Sequence, residues 1–120
     1  MPWKLQLSAL CVEDSSRLMR VLSGTILACG GWVLSRSCSE TDVRIGFEFE
    51  RGGCVEIYTS LIAAGLELSQ DAHQRLTALC QCTRYRAFEV QEETVEVELE
   101  VLTGSRERFA AGCAEELKFG

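Results

Sequence analysis

No run of about 18 apolar residues, the length a helix needs to cross a bilayer, occurs in this chain, and Met1-Pro2-Trp3-Lys4 leads into an alternating strand pattern instead of a signal-peptide core. A soluble, unprocessed protein is therefore expected. Positive charge is also scarce. There are 12 bases against 18 acids, for a net charge of -6, and six of the acids fall between Glu89 and Glu100 with no base among them. Phosphate binding needs a basic stripe, so nucleic acid and anionic membrane are excluded as natural partners. The chain offers no nucleophile beside a base, no glycine-rich phosphate loop and no complete set of metal ligands, so no catalytic residue, metal or cofactor is assigned.

What is present fits one compact domain spanning residues 1–120, with 103–120 as a C-terminal extension: 120 residues at 47% hydrophobic suffice for one core and are too few for two. Seven cysteines cannot all pair within one chain. Cys11, Cys29, Cys54 and Cys80 continue apolar patterns, and a buried free thiol behaves as a small hydrophobe. A reducing cytoplasm is the expected compartment.

Alternation and helical periodicity divide the chain into elements. Trp3, Leu5, Leu7, Ala9 and Cys11 form one face of a strand. Asp14 and Ser15 can accept hydrogen bonds from the free N–H groups of a helix start, and Leu18, Val21, Leu22, Ile26 and Cys29 follow at helical spacing before Gly30-Gly31 stops the helix. Trp32 to Cys38 reads as a second strand whose register the pattern leaves open, with Trp32 placed equally well in the core or on a partner surface. Val43, Ile45, Phe47 and Phe49 mark a third strand, closing a hairpin. Val55, Tyr58, Leu61, Ile62 and Leu66 then recur helically, and Ser69 caps a further helix through Ala72, Leu76, Leu79 and Cys80. Val95, Val97, Leu99 and Val101 alternate with Glu96, Glu98 and Glu100 in a last strand, and a short helix through Phe109, Cys113 and Leu117 is expected after Gly104.

This order, βαββαβ with an extra helix before the last strand, predicts an α+β ferredoxin-like sandwich. Helices would cover one face of a four-stranded antiparallel sheet. The second strand and the glutamate-bearing last strand would be its edges, the glutamates discouraging edge-to-edge aggregation.

Val12, Asp14, the helix residues Leu18, Val21 and Leu22, and Gly30 with Val33 together resemble the first third of an ACT domain, a small regulatory module. Two positions depart from that family's pattern: Ser16-Arg17 stand at its Pro-Gly turn and Trp32 at its Asn. The resemblance implies the fold and side-by-side dimerisation through the second strand more than amino-acid binding, because an arginine at the turn obstructs close backbone approach of a ligand.

The expected function is thus a non-catalytic ACT-like regulatory or protein-interaction module, a homodimer with Trp32, Leu34 and Arg36 at its interface. With no enzyme domain downstream in this sequence, any regulatory effect would fall on a separate partner protein. The alternative is a small anionic, amino-acid-like metabolite at Asp14, Ser15, Ser16 and Arg17, where a helix N-terminus meets a small carboxylate. A thiol-dependent enzyme ranks third. Cys80-Gln81-Cys82 with His73 is a weak metal pattern, because a CxC on a helix splays its thiols apart. Glu48, Glu50, Glu96, Glu98 and Glu100 read as a solvated face, without the apolar pocket that general acid catalysis requires.

Overall fold

A computed structural model of the chain describes residues 3–85 and 93–104. In chain order the elements are β1 (Trp3–Cys11), α1 (Ser15–Ala28), β2 (Trp32–Cys38), β3 (Asp42–Glu50), a single 3-10 turn (Arg51–Gly53), α2 (Cys54–Ala63), β4 (Glu67–Leu68), α3 (Gln70–Tyr85) and β5 (Thr94–Thr103). The α+β class holds, but the sheet is five-stranded and mixed, in the order β2-β3-β5-β1-β4. β5 runs parallel to β1 and antiparallel to β3, so the expected four-stranded antiparallel arrangement is corrected. β5 lies at the centre and is no edge. The second edge is β4, two residues pairing with Ala9 and Leu10 of β1.

One face of the sheet is apolar and roofed by the helices. Val43, Ile45, Phe47 and Phe49 of β3 and Val95, Val97, Leu99 and Val101 of β5 are all buried, and Phe47 lies directly opposite Val97. Alternation places every second side chain on this face, which makes the strand assignment robust. Leu18, Leu22 and Ile26 of α1, Ile57 and Leu61 of α2, and Leu76 and Leu79 of α3 complete the core. Truncating any of these leucines to alanine costs about 2–5 kcal/mol by lost transfer energy and residual cavity.

Local chemistry sets the helix ends. The Asp14 carboxylate accepts the Arg17 N–H at 3.1 Å, and Ser69 Oγ does the same for Ala72 N–H at 3.1 Å at the start of α3. Gly30 (φ +85) turns the chain out of α1 in the left-handed region. Gly31 is required by packing, since a Cβ there would sit 2.8 Å from the Glu48 carbonyl oxygen.

α1 buries Leu18, Leu22 and Ile26 as the pattern suggested, with Val21 the one exception, whereas α2 turns a different face inward. Val21 is exposed on α1, and α2 buries Cys54, Ile57 and Leu61 while Val55 and Ile62 face out. α2 is apolar nearly all round, so periodicity alone does not choose its buried stripe. The expected helix around Phe109, Cys113 and Leu117 lies outside the described residues, as does most of the 103–120 extension.

Candidate functional site

β2 is the long free edge of the sheet. Six of its seven residues are exposed, and Val33 alone is partly covered. Val33 pairs with Phe47 but Ser35 with Gly46, so Leu34 is an extra residue, a bulge that pushes it outward. Trp32 lies opposite Glu48, which fixes its face: it stands on the open side of the sheet, 41% exposed, and not under the helices. Of the two placements the pattern left open for Trp32, the structure takes the exposed one. Leu34 is 49% exposed, and Arg36, opposite inward-facing Ile45, is exposed as well.

The Asp14 loop is engaged by its own fold. Asp14 caps α1, Arg17 lies 3.6 Å from the Glu13 carboxylate, and the buried Ser15 hydroxyl is hydrogen-bonded to that of Thr103 on β5. Ser16 is exposed. The four residues are neighbours in space, but three of them serve capping, a surface ion pair and a core contact.

The remaining reactive side chains are scattered. The Tyr58 hydroxyl and His73 Nδ1 lie 2.6 Å apart, joining α2 to α3. Cys80 is held by burial, and next by a hydrogen bond with Cys54, so that its thiol pKa is pushed from 9.0 up to about 12. His73, Cys80 and Cys82 do not converge, and among the described residues no group of three His, Cys, Asp or Glu side chains is placed to hold a metal ion. The six described cysteines are free thiols.

Arg51 was not legible as a buried cation. It is 2% exposed, donates through Nε to Thr83 Oγ1 (2.8 Å) and through Nη1 to Glu93 (2.6 Å), and lies 4.7 Å from the Trp3 ring centroid. A buried cation is tolerable only when paired in this way. The available signal was position: 51 continues the inward alternation of 43, 45, 47 and 49.

The open face of the sheet contains a second feature the sequence reading passed over. Ser35, Gly46, Glu98 and Gln6 line up across four strands beside a shallow groove of about 410 Å³, which Arg36, Arg44 and Glu100 also line. The Ser35 hydroxyl fills the space over Gly46, where a Cβ would meet it at 2.6 Å. A glycine between Arg44 and Glu48 in an otherwise regular strand was the clue.

No family model, curated protein or solved structure matches this chain. Any functional reading therefore rests on the geometry above. Among the described residues no helix is long and apolar enough to cross a membrane.

Proposed function

We propose that this protein is a non-catalytic interaction module, ACT-like in its first third, that self-associates through β2. With β5 set aside, the strand order β2-β3-β1-β4 is that of a ferredoxin-like sandwich, and we read the fold as that frame with β5 wedged between β1 and β3. One observation carries the interaction reading. The β4 edge is only two residues long, whereas β2 presents seven residues of free edge with Trp32 and Leu34 exposed beside it. Proteins normally blunt a long free edge, and β2 carries only Arg36 as a charge and a bulge at Leu34. Regular pairing runs from Ser35 to Cys38, which is where a second copy would add its own β2, with Trp32 as the aromatic anchor.

A regulatory effect, in this reading, is exerted on a separate chain by association. The Asp14 loop is occupied with capping and contributes no ligand site. Sedimentation equilibrium of the wild type and the Trp32→Glu and Leu34→Lys variants tests the interface. The wild type should sediment as a dimer and both variants as monomers with unchanged circular dichroism, because neither side chain belongs to the core. A monomeric wild type, or dimeric variants, would remove the reading.

A further inference from the structure

We infer that Arg51 anchors a binding site for a small monocarboxylate, whose two oxygens take the Nη1 and Nη2 arms of the guanidinium in place of Glu93. The inference is independent of self-association through β2. The Arg51 side chain is 3% exposed, and among the described residues its Nη2 is a buried donor with no acceptor. A buried donor left unmet costs free energy, most of all on a charged group, so such an atom in a native core marks a partner still to be supplied.

The guanidinium is held so that it cannot turn to find an acceptor. Its Nε donates to Thr83 Oγ1 (2.8 Å), a hydroxyl that itself donates to the Leu79 carbonyl (2.7 Å), and its plane lies over the Trp3 ring. The unmet arm therefore has a fixed direction. Together Nη1 and Nη2 form a fork that matches the two oxygens of a carboxylate, but Glu93 reaches it through one oxygen only, Oε1 on Nη1 at 2.6 Å.

Glu93 is built to be displaced. Its side chain is 37% exposed, and its backbone is pinned separately, because the Arg51 N–H donates to the Glu93 carbonyl at 2.7 Å. The carboxylate can swing into water while β5 keeps its register, leaving both arms of the fork to a ligand. One carboxylate replaces another, so no unpaired cation is left in the core. A doubly charged phosphate is disfavoured, since a single guanidinium would face it beside Glu93 in a chain of net charge -6. The half-buried Trp3 ring adds an apolar wall, which suits a guest with a short hydrocarbon body.

The test uses the full chain carrying Trp32→Phe, which leaves Trp3 as the sole tryptophan, and follows its fluorescence as sodium acetate replaces sodium chloride at constant ionic strength. A saturable change is expected with acetate and none with inorganic phosphate. Glu93→Gln should tighten acetate binding about tenfold, because the tethered competitor is gone, while Glu67→Gln on β4 leaves it unaltered. Arg51→Gln should abolish the change. Because that variant removes a buried cation and can unfold the chain, the Arg51 Nε–H resonance of the ¹⁵N-labelled Trp32→Phe protein is followed as well and should shift as acetate is added. No saturable change, an equal response to phosphate, or weaker acetate binding by Glu93→Gln would each overturn the proposal. So would an unmoved Arg51 resonance, the result expected if buried water meets the Nη2 arm.

Discussion

At the scale of single residues, burial decides chemistry. Cys80 and Cys38 are the same side chain in opposite circumstances: Cys38 is exposed at the end of β2, while burial and the Cys54 hydrogen bond hold the Cys80 thiol protonated up to about 12. A thiol reagent should therefore modify Cys38 first and leave Cys80 unreacted in the native protein, because only the thiolate attacks. The same shift has a consequence for stability. Above pH 9.0 the unfolded chain loses the Cys80 proton while the folded chain keeps it, so the unfolded state binds fewer protons and stability falls as pH rises toward 12. Urea denaturation across that range should show a steeper decline in the wild type than in Cys80→Ala. Parallel slopes would mean that the thiol titrates alike in both states.

Among the elements, β2, β3 and β5 show how one strand pattern serves two purposes. The inward residues of β3 and β5 build the core, and the outward residues of the same strands accumulate acid. Exchanging one member of the like-charged pair should relieve the repulsion: Glu48→Lys is expected to stabilise the protein by about 0.2–1 kcal/mol, read as a higher urea midpoint with unchanged slope. That gain should shrink in high salt, since exposed charges are screened there. The helices show the opposite limit. α2 has a single charged residue, Glu56, and the stripe Val55, Tyr58, Ile62 is as apolar as the stripe Cys54, Ile57, Leu61 that it buries. Its orientation is set by what it packs against and not by its own pattern.

For the whole molecule, the central position of β5 matters most. β1 pairs only with β5 and the two residues of β4, so β5 joins β1 to the β2–β3 hairpin. A chain ending at Tyr85 should lose cooperative unfolding, with circular dichroism showing no sharp thermal transition. Cooperative folding of that fragment would instead mean that β1 and β3 can pair directly, the four-stranded arrangement expected from element order. In the full chain, closing β1 onto β5 joins segments some ninety residues apart, Trp3 with Val95 for example, and such long-range pairing slows folding to milliseconds or longer.

The sequence by itself determined four of the five strands, the three described helices and the caps, and showed no sign of the two-residue β4. Alternation at Val43 to Phe49 and Val95 to Val101, the Asp14 and Ser69 caps and the Gly30 turn are local consequences of residue size, polarity and backbone freedom, and each stands as read. It also indicated that Trp32, Leu34 and Arg36 belong together on one strand, and three of the four loop residues it grouped at Asp14 are held by capping, an ion pair and a core contact. Only the tertiary structure decided which strands are neighbours, which face Trp32 takes, that Arg51 is buried against Trp3 and Thr83, and that the Ser35 hydroxyl fills the space over Gly46. Those outcomes depend on pairing between segments far apart in the chain. Strand alternation specifies a face but not a neighbour, and a parallel insertion such as β5 leaves no mark on the period of either strand it separates.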